Sequence, residues 1–447
     1  MKNETFISYA FLIFLGCITS LSLPPFNYFL INFLTFSLIF IFLIEKSKKH
    51  QNKKLFFLYG WLFGFGYFTS NLYWISISLT FDENFKFLIP ITIFLIPAFL
   101  SIFFGFTSYF FIIFKSKNII NSFLIFSLLF GILEFLRGSI LTGFPWNLIA
   151  FSFSNQSEIL SITSIIGTYG FNLLCISIFT SPALLLLKDT KIEVGIFIFF
   201  LIAFISIYSY GVYYEYKFNK EKKDIYDYKI RVIGSNISLD RFYFDIDTLS
   251  IIRDLIKISS PNLKEKTIFV WPEGIFPGVY QNELSEYSYI FGKNFSENHL
   301  LIIGTSTKIE NNEVKDFFNT LSLYDNKLNL LDSYKKIDLV PFGEFLPFEK
   351  KLKKIGIRSL TNNYQSFSRG EKREIIDIKK KNFSIKILPL ICYEIIYSGK
   401  IFKDYNFDLI VNISEDGWFG KSIGPIQHLN HSVFRAVESG KYVVRSS

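Results

Sequence analysis

Three short segments in the C-terminal half hold side chains able to do chemistry. Phe269-Val270-Trp271-Pro272-Glu273-Gly274 places a carboxylate at a Pro/Gly turn after an apolar run. Tyr334-Lys335-Lys336-Ile337-Asp338-Leu339-Val340-Pro341-Phe342-Gly343-Glu344 supplies two ammonium groups and a second carboxylate. Leu388-Pro389-Leu390-Ile391-Cys392-Tyr393-Glu394 ends an apolar run in a thiol. Taken singly, each has an ordinary explanation. Cys392 reads as a small buried apolar group, Glu273 as a turn or cap residue, and Lys336 as a surface lysine. Taken together, in the order Glu–Lys–Cys, they are the parts of a thiol nucleophile. The carboxylate takes the thiol proton, because the thiolate is the reactive species. The ammonium stabilises the oxyanion of a tetrahedral intermediate, and the sulfur forms a thioester.

The elements that must position these groups are legible in outline. From about Asp227 onward, short β-branched and apolar runs alternate with polar, helix-like stretches. Residues 228–233, 267–271, 300–304, 320–324, 385–391 and 409–413 predict strands, and 249–258 and 428–439 predict helices. The alternation points to an α/β sandwich, with the three motifs at strand ends.

The other half of the chain is different in kind. Only 21 of the 85 charged side chains fall in residues 1–215, although half of all 447 residues are hydrophobic and 56 are Phe. This composition excludes a disordered chain and a disulfide scaffold, and its unevenness implies one part in lipid and one in water. Charge-free stretches near the roughly 20 residues needed to cross a bilayer recur at 5–44 (two spans broken by Pro24-Pro25), 55–81, 87–114, 118–133, 159–187 and 194–214, about seven helices. The first run is read as a retained helix, since a second span follows at once without a small-residue cleavage site. Lysines crowd the loops at 45–54, 115–117 and 188–191, whereas the alternate loops hold little beyond Lys86 and Arg137. By the positive-inside rule the N-terminus is then cytoplasmic, and seven crossings put residue 216 onward on the outer side. A net charge of +9 distributed this way is no case for nucleic acid. Glu134 and Arg137, three apart on one helical face, are either a structural pair closing the helix or a headgroup-binding pair, followed by the turn Gly143-Phe144-Pro145 and an interfacial Trp146.

The ordered set of the three motifs resembles the nitrilase superfamily. The membrane half narrows this. Leu23-Pro24-Pro25-Phe26, Asn71-Leu72-Tyr73-Trp74, Arg137-Gly138, Gly143-Phe144-Pro145-Trp146, Asn412-Ile413-Ser414, Trp418-Phe419-Gly420, Gly424-Pro425 and Gln427-His428 together resemble the apolipoprotein N-acyltransferase family, from about residue 20 to the end. The resemblance implies a membrane α-helical bundle of about seven helices over residues 1–215. It implies an α/β domain, an αββα nitrilase-like sandwich, over 216–447. It also implies transfer of an acyl chain from a membrane phospholipid, through a cysteine thioester, to the N-terminal amine of a diacylglyceryl-cysteine apolipoprotein. Cys392 would be the nucleophile, Glu273 the general base and Lys336, two after Tyr334 and eight before Glu344, the oxyanion stabiliser. Glu344 would be the second carboxylate. Tyr393 and Glu394 would line the site, the Tyr393 N–H completing the oxyanion hole, and Trp418 and Phe419 would flank the acyl entry. A monomer in the bacterial inner membrane is implied, with its catalytic domain on the periplasmic side and no metal or other cofactor.

The chain departs from the family pattern in three places, one of them Gly234-Ser235 in the predicted strand 231–237, where Gln-Pro or Gln-Gly is common. Glu415-Asp416-Gly417-Trp418-Phe419-Gly420 stands where Asn-Asp-Ala-Trp-Phe-Gly is usual, so Glu415 adds a charge near the expected pocket. The last residues, Val444-Arg445-Ser446-Ser447, lie in a strand that in the family leads to further strands and an eighth helix, which are expected to be absent here. A membrane-tethered nitrilase-type amidase hydrolysing a small amide is the alternative, because water and an amine attack the same thioester. His428 and His431 lie i, i+3 on one predicted helix without a third ligand motif. Three cysteines form no disulfide framework.

Overall fold

The computed structural model describes residues 2–221, 227–243, 247–311, 314–352, 354, 366–380, 383–401 and 406–447. These form two units. One comprises Met1–Glu221, Tyr397–Gly399 and Phe419–Gly440; the other comprises Lys222–Ile396, Lys400–Trp418 and Lys441–Ser447.

The first unit is helical. Its long helices are α1 (Lys2–Ser20), α2 (Leu30–Lys49), α3 (Lys53–Leu72), α4 (Ile89–Phe114), α5 (Ile119–Ser139), α6 (Thr163–Thr180) and α7 (Lys191–Lys220). Their ends follow local chemistry. Asn52 caps α3 by accepting from the Lys54 and Leu55 N–H groups, Asn118 caps α5, and Thr190 with Glu193 forms a capping box on α7. Lys46, Lys48 and Lys49 close α2 at the negative end of its dipole. Among the described residues, five helical segments are long and apolar enough to cross a membrane: Leu30–Lys49, Glu83–Phe114, Ile119–Ser139, Thr163–Leu186 and Lys191–Lys220. Glu4–Ser20 is apolar but shorter. The about seven spans expected thus resolve into five to six apolar helices of a multi-pass membrane protein. Helix α3, which opens on Lys53-Lys54 and carries Ser70 and Asn71, falls outside that set.

Aromatic rings fill the centre of this unit. Phe36 lies 5.4 Å from Phe130, Phe40 lies 5.4 Å from Phe126, and Phe104 lies 4.6 Å from Phe130, centroid to centroid, all buried. Exposed apolar side chains such as Phe94, Leu95 and Phe99 on α4 and Phe199, Ile202 and Ile205 on α7 cover the outside, as a lipid-facing surface requires. Helices α1 and α3 approach closely because Gly16 has no side chain: a Cβ there would meet the Phe63 carbonyl oxygen at 2.0 Å.

The buried charges of α5 are paired. Arg137 grips Glu134 through two 2.9 Å bonds, donates to the Phe144 carbonyl at 2.5 Å and to that of Asn147 at 3.4 Å, and lies 5.1 Å from the Phe68 ring. Both side chains are shut away from the surface. The pair is therefore the structural one of the two readings, and it pins the turn that carries Trp146. Trp146 itself is buried rather than interfacial, its indole N–H donating to Gln427 at 2.9 Å. Gln427 belongs to α10 (Gly424–Ser439), which starts earlier than expected because Pro425 favours the first turn. Gln427 also donates to the Pro24 carbonyl, and Glu438 accepts from the Thr168 N–H beside the Gly167 kink of α6. Such bonds knit α10 into the helical unit.

The second unit holds two mixed sheets. In the first, β1 (Lys229–Val232), β2 (Thr267–Val270), β3 (His299–Asn311), β4 (Val314–Asp325) and β5 (Leu330–Lys335) lie in sequence order. The β1/β2/β3 pairs are parallel and the β3/β4/β5 pairs antiparallel. In the second, β6 (Ile376–Lys380), β7 (Phe383–Ile391), β8 (Leu409–Ile413) and β9 (Tyr442–Ser446) follow in order, antiparallel at β6/β7 and parallel after that. The two-residue period of strands explains the layers. Ile268, Val270, Leu300 and Ile302 point between the sheets to meet Ile385, Ile387, Ile391, Val411 and Ile413. Phe269, Trp271, Leu301 and Ile303 point the other way, onto Ile252 and Leu255 of α8 (Thr248–Ser259) and Phe291 of α9 (Ser288–Asn294). This is the nitrilase-like α/β sandwich expected. Strands β5 and β6 and helix α9 were not foreseen, being short and largely polar.

Candidate active site

Glu273 sits just beyond β2, whose residues are all buried. The turn that carries it presses against β3 at Gly304, where a Cβ would come within 2.5 Å of the Glu273 Cα; no other residue leaves that space. One carboxylate oxygen, Oε1, accepts from Asn319 Nδ2 at 2.6 Å and from Lys336 Nζ at 3.3 Å. The other, Oε2, accepts from the Glu415 backbone N–H at 3.1 Å.

Lys336 follows β5, and its backbone N–H extends the ladder by donating to the Asn319 carbonyl at 2.8 Å. Its side chain is 1% exposed. The ammonium also meets Glu344 Oε1 at 2.8 Å. Glu344 is held in turn by the Val340 N–H, which donates to Oε2 at 2.8 Å, and by Asn319 Nδ2 at 2.8 Å. Asn319, on β4, thus bridges the two carboxylates from below while Lys336 bridges them with its charge.

Cys392 ends β7 and opens the 3-10 turn Cys392–Ile396. Its φ of 48° is a left-handed conformation that a non-glycine residue adopts only when its surroundings hold it there. Asn412 of β8 supplies part of that hold, donating to the Leu390 and Cys392 carbonyls at 3.2 and 3.4 Å. The sulfur hydrogen-bonds Ser414, whose hydroxyl donates to Asp416 Oδ1 at 2.7 Å. Arg445 of β9 closes the chain by pairing with Asp416 at 2.7 Å and by donating to Asn412.

The electrostatics bind the three motifs into one site. Burial, then the Glu273 carboxylate, pushes the Cys392 thiol up, against the opposing pull of Lys336. Burial also raises the Glu273 carboxyl; Lys336 opposes this and Glu344 adds to it. Burial by itself would lower the Lys336 ammonium, but Glu273 and Glu344 outweigh it and hold it raised. These directions favour a neutral thiol and a charged ammonium at rest. A thiolate forms only as its proton leaves. Oε1 of Glu273 accepts from two donors, whereas among the described residues Oε2 accepts from one, which leaves it a lone pair.

The remaining expected residues divide by place. Tyr393 is buried behind Cys392. Glu394 is wholly buried and turned onto the scaffold. It accepts from Tyr334 at 2.6 Å, Arg373 at 2.7 Å, the Ile337 and Asp338 N–H groups at 3.0 and 3.2 Å and the Ile391 N–H at 2.9 Å. It thereby ties the chain after Lys336 to the end of β7. Trp418 lies 5.3 Å from the Phe242 ring in the second unit. Phe419 packs on Trp74 at 4.6 Å and on His428 at 5.5 Å in the helical unit. Asn319, Arg445 and Arg241 were missed from the sequence. Only Asn319 left a signal there, an amide within a strand, where Asn is disfavoured. Among the described residues no three His, Cys, Asp or Glu side chains are grouped to hold a metal ion.

Residues 15–180 match the family described as the apolipoprotein N-acyltransferase N-terminal domain, and residues 264–447 match carbon-nitrogen hydrolases. The chain is 30% identical to an apolipoprotein N-acyltransferase of Rhodopseudomonas palustris over 452 residues, which covers 97% of this chain and 82% of that one. It is 27% identical to the enzyme of that description from Allorhizobium ampelinum, with 97% and 82% covered. Among solved structures it is similar to Saccharomyces cerevisiae Nit3, a member of branch 10 of the nitrilase superfamily, at a TM-score of 0.33 and 16% identity over 49% of this chain and 74% of that one.

Proposed function

We propose, for this chain, which belongs to the apolipoprotein N-acyltransferase family, that Cys392 carries an acyl group from a membrane phospholipid to the N-terminal amine of a diacylglyceryl-cysteine apolipoprotein. The observation that supports this most directly is the cluster in which Glu273, Lys336 and Glu344 share Asn319 while Cys392 feels the charges of Glu273 and Lys336.

In the first half-reaction Glu273 Oε2 takes the thiol proton as Sγ attacks the ester carbonyl of the phospholipid. The oxyanion that forms is stabilised by the Lys336 ammonium, which stays protonated throughout, and by the Tyr393 backbone N–H. Collapse breaks the ester C–O bond. The lysophospholipid alkoxide leaves with the proton from Glu273, and the acyl chain remains as a thioester on Cys392. In the second half-reaction the acceptor amine attacks the thioester carbonyl and gives a proton to Glu273. The C–S bond breaks, an amide is formed, and the proton returns to the Cys392 sulfur. Trp418 and Phe419 flank the path of the acyl chain. The second unit works on the periplasmic side of the inner membrane, where the acceptor amine is presented.

The test is to trap the intermediate. The protein is incubated with phospholipid labelled in its acyl chain, without acceptor, and label released by hydroxylamine is measured. Hydroxylamine-sensitive label on the parent and none on Cys392→Ala is the expected result. Normal labelling of Cys392→Ala would sink the assignment.

A further inference from the structure

Oε2, the oxygen assigned the proton, is oriented by one peptide N–H, that of Glu415. What fixes that peptide is a buried ion pair outside the three motifs. The Glu415 carboxylate meets the Arg241 guanidinium, whose side chain is 0% exposed. Arg241 Nη1 donates to the carbonyls of Ile237 and Ser238, at 3.0 and 2.9 Å, and the guanidinium lies 4.6 Å from the Phe242 ring. The second oxygen of Glu415 accepts from the Gly417 N–H at 3.0 Å, which closes the 415–417 turn on itself. A planar fork that reaches a carboxylate and two carbonyls at once is a task for Arg and not for Lys. A buried pair of this kind is worth little as net stability, because desolvation offsets the attraction.

We propose that Arg241 and Glu415 are positioning residues for the general base: the pair locks the 415–417 turn so that the Glu415 N–H stays on Glu273 Oε2. This rests on the thioester reading above. The charged groups that already face Glu273 are Lys336, Glu344 and Cys392, with Asp416 acting on Cys392, and none of them changes in the test.

The pH profile of acyl-enzyme formation separates positioning from simple electrostatics. It is measured on the full-length protein with labelled phospholipid, and rates are normalised to the trypsin-resistant fraction. Losing an N–H donor makes the carboxylate easier to protonate, so Arg241→Met and Glu415→Gln must both move the acid limb upward, by about one pH unit, with an about tenfold lower rate below it. Through-space charge without positioning would move the limb up in Arg241→Met, which strands a carboxylate, and down in Glu415→Gln, which removes one. Arg241→Lys should fall between parent and Arg241→Met. A shared upward shift carries the proposal. Opposite shifts, no shift, or a deficit that vanishes on normalisation would overturn it. If Arg241→Met does not fold, the direction in Glu415→Gln decides alone. A parent chain that takes no label brings down the thioester reading and this proposal with it, whereas a labelled parent with unshifted variants brings down only the proposal.

Discussion

Replacing Asn319 by Ala perturbs the site at the neutral group shared by its two carboxylates. Asn319 Nδ2 donates to Glu273 Oε1 at 2.6 Å and to Glu344 Oε1 at 2.8 Å, lengths expected of bonds to ionised acceptors. Each such bond is worth ~1.5–3 kcal/mol. Without the amide, Lys336 is the one side-chain donor the two carboxylates share, beside one peptide N–H on each. Glu273, already raised by burial, loses a donor that favours its charged form. At 1.36 kcal/mol per unit, a loss of ~1.5–3 kcal/mol lifts its pKa by about one to two units. The sign follows: the base works deprotonated, so acylation falls as pH drops through that pKa, and lifting the pKa moves the acid limb of the profile to higher pH. Acylation below the limb should fall by about 10- to 100-fold, with the plateau above it largely recovered. The assay is single-turnover labelling of Cys392 from labelled phospholipid between pH 5 and 9, beside a melting curve for the folded fraction. Asn319→Asp, which places a third carboxylate there, should lie below Asn319→Ala at every pH. An acid limb in Asn319→Ala that coincides with the parent's would refute the argument that this amide sets the base.

Three other outcomes are expected. Lys336→Ala should lower acylation on the order of 100- to 1000-fold, the loss of one oxyanion donor, while Lys335→Ala leaves the rate near the parent's because its ammonium lies over the Phe318 ring, 4.3 Å from the centroid; the same labelling assay reads both. Glu394→Ala leaves Arg373 with Asp338 as its remaining carboxylate and strands four backbone or hydroxyl donors, and should cost ~3–5 kcal/mol of stability, seen as a lower melting temperature and faster proteolysis. A reporter active only outside the inner membrane, fused at Lys217 near the end of α7, should be active, and activity of a cytoplasm-only reporter at that site would reverse the orientation.

Much of this protein is written in local pattern. Apolar run length alone separates the helical half from the α/β half, because lipid tolerates neither charge nor unpaired backbone. The apolar runs placed Glu273 and Cys392 just past the ends of β2 and β7, where the chain leaves a buried strand. The resemblance to the family's motif picked Lys336 over Lys335, and the structure buries the first while the second rests on a ring. What pattern does not encode is which distant groups arrive at the same point. Asn319 matters because β4 pairs with β5 in a register that sets Thr320 opposite Lys335 and so brings the amide beside the Lys336 ammonium. Glu394 reads as part of the pocket from its place next to Cys392, yet its side chain turns inward to five donors, four of them from two other segments. Arg241 and Glu415 lie 174 residues apart, and each alone looks like a surface charge. Glu134 and Arg137 were visible as an i, i+3 pair, but whether they met a headgroup or each other depended on burial. Burial and long-range pairing are properties of the packed chain, since desolvation is settled only when the neighbours are in place.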